Sequence, residues 1–208
     1  MDDCVVIALF RHGLTEGNIR KAYVGWSDSQ LSSAGKQQII SLKKMIGKYE
    51  WIVSSDLGRC CETAAILFPG QPIDKRSGLR EMNFGSWEGM THQDLEEDPD
   101  YIQWLKNPFT DKIPQGEFFL EFEKRILLEW CWLVEATIDK RVSRVAVVTH
   151  GGVIRTLLTN FAPEERSFWD WNIGHGRGFE LVWKKKAFRR ESRCTLLREV
   201  PLTGNLNG

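Results

Sequence analysis

Arg11-His12-Gly13 follows directly on the apolar run Val5-Val6-Ile7-Ala8-Leu9-Phe10. A second histidine, His150, follows the run Val145-Ala146-Val147-Val148-Thr149 and precedes Gly151-Gly152. Two histidines, each at the carboxyl end of a buried strand, can meet in one crevice, because ligands bind beyond the carboxyl ends of strands in open α/β sheets. An imidazole beside the fixed cation Arg11 suits chemistry on an anion, most simply a phosphoryl group.

The elements that must position these residues are legible in the apolar pattern. Residues 5–10 and 145–149 read as strands buried on both faces, and 51–53 as a third, short strand. Ser32 or Ser33 can cap a helix reaching Tyr49, with Ile39, Leu42 and Ile46 on one stripe. A turn over 54–58 leads into a helix over 59–68, stopped by Pro69-Gly70. Residues 118–138 are predicted to form a long amphipathic helix, and a helix over 153–160 follows Gly151-Gly152. Residues 178–183 and 193–200 read as late strands, and 202–208 as a frayed tail. This alternation points to a three-layer α/β/α sandwich with a mostly parallel central sheet.

Residues 83–115 break the pattern. They carry the acidic cluster Asp94, Glu96, Glu97, Asp98 and Asp100 among the aromatics Trp87, Tyr101, Trp104 and Phe109. Thr91 with Asp94 makes a capping box for a short helix that Pro99 would end. The stretch is expected to be a cap-like insertion over the site, within a single domain spanning 1–208.

Composition narrows the function classes. The 208 residues carry 28 basic and 28 acidic side chains, so nothing argues for nucleic acid or a membrane surface as the main partner. No apolar stretch approaches the length of a membrane span, and Met1-Asp2-Asp3-Cys4 lacks a basic leader. Five scattered cysteines without a CxxC favour a reduced, cytoplasmic protein over a disulfide framework.

At Arg11-His12-Gly13-Leu14-Thr15-Glu16-Gly17-Asn18 the chain resembles the histidine phosphatase superfamily, the group that includes the cofactor-dependent phosphoglycerate mutases. The resemblance continues at Leu31-Ser32-Ser33-Ala34-Gly35-Lys36-Gln37 and at Ser54-Ser55-Asp56-Leu57-Gly58-Arg59-Cys60-Cys61-Glu62-Thr63-Ala64. It returns at Leu79-Arg80-Glu81-Met82-Asn83-Phe84-Gly85-Ser86-Trp87-Glu88-Gly89 and at Thr149-His150-Gly151-Gly152. An Arg-His-Gly alone would be weak; the ordered set covers roughly residues 5–160.

The resemblance implies a phosphoglycerate mutase-like fold and metal-independent chemistry with no cofactor. His12 is the expected nucleophile, forming a phosphohistidine through one neutral ring nitrogen while the other holds its proton against an acceptor such as a backbone carbonyl. Arg11, Arg59, His150, Asn18 and the Gly151 backbone are expected to hold the phosphoryl oxygens. Glu81 is expected to protonate the leaving alkoxide and then to activate water. Glu88 is the alternative acid. A metal held by His12, His150 and Glu81 is disfavoured, because two arginines aimed at one spot repel a dication.

The block Phe84-Gly85-Ser86-Trp87-Glu88-Gly89 looks more like the phosphatase branch, nearest α-ribazole and broad-specificity phosphatases, than like the mutases. The implied substrate is a small phosphorylated metabolite, and a homodimer is allowed. A phosphoglycerate mutase-type transfer and a non-catalytic phosphate-binding regulator are the alternatives. Phe118 stands where such phosphatases often carry a serine, in Gly116-Glu117-Phe118, which puts the substrate in question. His92 and His175 are expected to be solvated. Cys60 and Cys61 are expected to be helix-packing cysteines, the alternative being that one of them lies near the phosphate pocket with a thiol pKa lowered by its cationic neighbours.

Overall fold

The structure is a computed structural model and describes residues 3–201, so the tail expected at 202–208 lies outside the described residues. The strands are β1 (Cys4–Arg11), β2 (Trp51–Ser55), β3 (Ile73–Arg76), β4 (Arg144–Thr149), β5 (Gly178–Lys184) and β6 (Leu196–Val200). They form one sheet in the order β3-β2-β4-β1-β5-β6. β1 runs parallel to β4, β4 to β2 and β2 to β3, whereas β5 is antiparallel to both β1 and β6.

The helices are α1 (Glu16–Ile19), α2 (Ser33–Lys43), α3 (Gly58–Leu67), α4 (His92–Leu95), α5 (Pro99–Lys106), α6 (Phe119–Asp139) and α7 (Gly151–Phe161). Alternation along the strands assigns them to layers. Ala8 and Phe10 of β1 pack with Ile39 and Leu42 of α2 and Ala64 and Leu67 of α3. Val5, Ile7 and Leu9 point the other way, onto Ile126 and Leu133 of α6 and Ile154 and Leu158 of α7. The three-layer sandwich expected from the sequence is therefore the fold. The helix after β1 covers one face and the helix after β4 the other, so the chain switches faces between these neighbouring strands. A crevice at their carboxyl ends follows.

Some boundaries differ from the sequence reading. α2 stops at Lys43 because Lys44 and Met45 donate to the carbonyls of Ser41 and Leu42, tightening the last turn. Tyr49 instead packs against Phe10 and Phe68, and its hydroxyl donates to Glu180 over 2.9 Å. β2 runs on to Ser55, and β3 was not expected. Pro99 does follow the short capping-box helix, but it also opens α5, capped by the Asp98 carboxylate. At the N-terminus of α6, Glu121 accepts from the Phe118 backbone N–H over 3.1 Å, while Phe118 offers no side-chain cap.

Candidate active site

His12 leaves β1 into the crevice, and its N–H donates to the Thr149 carbonyl at the end of β4 over 3.0 Å. The His12 and His150 rings lie 5.2 Å apart, centre to centre. His12 Nδ1 sits 2.8 Å from the Gly13 carbonyl oxygen. A carbonyl only accepts, so Nδ1 carries the proton and Nε2 keeps its lone pair. His12 is 4% exposed, and burial, then Arg59, then Arg11, hold its pKa well below the ordinary histidine value. The ring is therefore neutral near neutral pH.

Arg59 is 1% exposed at the start of α3. Its Nη2 donates to the Gly25 carbonyl over 2.6 Å and its Nη1 to the Ser27 carbonyl over 3.0 Å. Arg11 donates from Nη1 to the Ile173 carbonyl over 2.6 Å, and burial lowers its pKa to about 10. The Nε of each arginine is buried without a hydrogen-bond partner among the described residues. Two unpaired buried guanidinium donors beside a neutral imidazole form a site for an anion, since leaving such donors unsatisfied is costly. Gly151 permits the crowding: a Cβ there would lie 3.2 Å from Arg11 Cζ.

His150 is fully buried, and burial followed by Arg59 holds its pKa well below the usual range. Its Nδ1 accepts from Arg59 Nη2 over 3.3 Å, so Nε2 bears the proton and meets Ser55 Oγ at 2.9 Å. Both ring nitrogens thus have protein partners, where the sequence reading gave them to phosphoryl oxygens; the longer β2 supplies Ser55. Asn18 accepts through Oδ1 from the Thr15 N–H at 3.2 Å and Thr15 Oγ1 at 2.8 Å, leaving Nδ2 as its free donor.

Glu81 joins the cluster. Its Oε2 accepts from the Gly152 N–H and its Oε1 from the Met82 N–H, each over 3.0 Å. Glu88 is committed elsewhere. Its carboxylate accepts from the backbone N–H groups of Gly25, Trp26, Ser27 and Phe84 and from Ser27 Oγ. It is a clamp on the loop whose carbonyls hold Arg59.

Sequence reasoning missed three features. His175 is half-buried rather than solvated: its ring centre lies 5.4 Å from that of His12, its Nδ1 is buried with no hydrogen-bond partner among the described residues, and burial lowers its pKa to about 4. The Gly-rich stretch around it was the available signal. Arg125 of α6 donates to the carbonyls of Gly78, Arg80 and Glu81 while paired to Glu117, so it fixes the segment carrying Glu81. Nothing local in a helical Arg marks that role. Cys60 does lie close, with Sγ 3.4 Å from His150 Nε2, but its thiol pKa is raised, not lowered. Full burial outweighs the nearby Arg59. Burial raises Cys61 as well. His92 is exposed, as expected, and bonds the Tyr101 hydroxyl at 2.8 Å.

Fold and site define an α/β protein with a histidine-bearing, cationic cleft at the switch point of its sheet. Residues 7–193 match the model of the histidine phosphatase superfamily, branch 1. A broad-specificity phosphatase of Saccharomyces cerevisiae is 31% identical over 76% of this chain and 71% of its own. A 2,3-bisphosphoglycerate-dependent phosphoglycerate mutase of Cytophaga hutchinsonii is 25% identical over 86% and 89%. The crystal structure of an α-ribazole phosphatase from Shigella flexneri superposes with a TM-score of 0.77 at 26% identity, covering 87% of this chain and 92% of that one. The chain belongs to the histidine phosphatase superfamily.

Proposed function

We propose that the protein is a phosphomonoester hydrolase working through a phosphohistidine on His12, with residues 83–115 as a cap over the leaving-group side. The observation that carries the residue assignment is the His12 geometry: a proton pinned on Nδ1 by Gly13, which leaves the Nε2 lone pair free on a ring that burial, Arg59 and Arg11 keep neutral. The Nε2 lone pair attacks phosphorus, and the P–O electrons pass to the leaving oxygen, which takes the Glu81 proton. Arg11, Arg59, Asn18 Nδ2 and the Gly151 backbone hold the phosphoryl oxygens, and His150 steers Arg59 through Nη2. Water then attacks the phosphohistidine, Glu81 accepts its proton, and the P–N bond breaks to give inorganic phosphate. Four donors of this kind supply the charge stabilisation that a metal supplies in other phosphoryl-transfer enzymes.

Water is the acceptor in this reading, in line with the phosphatase-type block at 84–89 and the yeast relative. Small phosphorylated metabolites, with α-ribazole phosphate among them, are the substrates. Among the described residues no helix is long and apolar enough to cross a membrane. All five cysteines are free, which fits a reducing compartment such as the cytoplasm. A homodimer through an open edge of the sheet, β3 or β6, completes the reading; equilibrium sedimentation tests it.

The test of function is hydrolysis of para-nitrophenyl phosphate with excess EDTA, alongside trapping of acid-labile phosphate on the protein. Wild type should turn over and label; His12→Ala should do neither. Turnover that persists in a folded His12→Ala protein, or that EDTA abolishes, overturns the mechanism.

A further inference from the structure

Glu81 and Gly152 also line a cavity of about 430 Å³, large enough for a small organic group. On the assignment of Glu81 as proton donor, the leaving oxygen lies at this cavity's boundary. The cavity therefore faces whatever the phosphoryl group leaves behind.

Its walls are mostly aromatic. Tyr23, Phe84 and Trp104 form one cluster of rings in the wall and Phe119, Phe168 and Trp169 another. These rings already pack on one another: Tyr23 lies tilted on Phe84 at 5.0 Å, while Phe119 meets Phe168 at 5.3 Å and Phe168 meets Trp169 at 4.8 Å edge-to-face. The rim continues the apolar surface outward, since Trp169 is 55% exposed and Leu105 46%. Only Glu81 and Arg155 among the lining residues are charged. Arg155 is partly committed: Nε donates to the Trp171 carbonyl over 3.1 Å, and the guanidinium lies over the Phe168 and Trp169 rings.

A polyol or hydroxy acid placed here would exchange many water contacts for ring faces and leave hydroxyl groups unpaired. A flat ring would find faces and edges to pack against. We propose that this cavity is the leaving-group subsite and that it selects phosphomonoesters of aryl-bearing alcohols over esters of small polyols and hydroxy acids. This rests on the hydrolase reading, and its test is chosen to stand apart from turnover.

Non-hydrolysable phosphonates separate the two. Binding of 2-naphthylmethylphosphonate and of 2-hydroxyethylphosphonate is measured by calorimetry on the full chain. The arylmethyl compound should bind at least about tenfold tighter, and Trp169→Ala should reduce that ratio about threefold or more. Trp169 is exposed enough for its ring to be removed without opening the core. Trp104→Leu, probed in the same way, should reduce the ratio as well. Equal binding of the two phosphonates, or a preference that neither variant moves, overturns the proposal. With turnover, benzyl phosphate should exceed glycerol phosphate in kcat/KM mainly through KM, their leaving alkoxides being of similar basicity. Absence of turnover with the binding preference intact would refute the hydrolase reading and leave the subsite standing.

Discussion

Gly152→Ala isolates the proposed proton donor without touching it. A Cβ built on Gly152 would collide with Glu81 Oε1 and lie 3.3 Å from Phe122 Cζ. The carboxylate must retreat, and with it goes the 3.0 Å bond from the Gly152 N–H to Oε2. A hydrogen bond to a charged group is worth about 1.5–3 kcal/mol. General acid catalysis contributes about 10²–10⁴-fold, and a displacement of roughly 1 Å can cost about 10²-fold. For an alkyl ester the expected loss in kcat/KM is thus about 10²-fold, or about 2.7 kcal/mol of transition-state stabilisation. For para-nitrophenyl phosphate, whose leaving group departs without a proton, the loss should stay within about threefold. The parameter kcat/KM is the one to compare, because it reports the steps up to phosphohistidine formation and excludes the later hydrolysis. Folding should survive, since Gly→Ala within the first turn of α7 gains about 1 kcal/mol of helix propensity at most. Equal losses on the alkyl and aryl esters, in a protein with wild-type unfolding, would refute Glu81 as donor to the leaving group.

Other consequences follow from the same geometry. Glu88→Ala removes the acceptor for four backbone N–H groups and should cost about 1–3 kcal/mol in urea unfolding while weakening vanadate binding through a loosened Arg59. Activity loss at unchanged stability would instead favour a direct catalytic role for Glu88. Arg125→Lys cannot reproduce three carbonyl contacts and a paired carboxylate, so kcat/KM should fall about tenfold or more, with retained activity refuting the positioning role. His12, His150 and His175 all have lowered pKa values, so the unfolded chain binds more protons than the folded one below about pH 6.5. Stability should therefore fall as pH drops from about 6.5 toward 4, by at most about 1.4 kcal/mol per pH unit for each ring. A urea midpoint that is flat across that window would contradict the buried, neutral histidines. The ring signals of His12 and His150 in nuclear magnetic resonance should not titrate between pH 7 and 6.

The sequence by itself determined the architecture and supplied the reacting groups that we propose. Apolar runs ending in Arg11-His12 and Thr149-His150 are local signals, because a strand buried on both faces must be apolar throughout and a chain leaving it must turn. The long helix α6 was legible in its stripe of Phe122, Ile126, Trp130 and Leu133. What tertiary structure decided was how each group is used. Glu81 and Glu88 are both acidic residues in one block, and only the approach of the Gly25–Ser27 loop makes one a clamp. His175 looked like a loop histidine until the chain between α7 and β5 folded it against His12. Cys60 has a cation beside it in sequence, yet its thiol is governed by burial under His150, which no neighbour in the chain reports. Periodicity and motif are carried by adjacent residues and can be read along the chain. Protonation, hydrogen-bond partners and pocket walls are set by groups distant in sequence, and they exist only once the two faces of the sheet are covered.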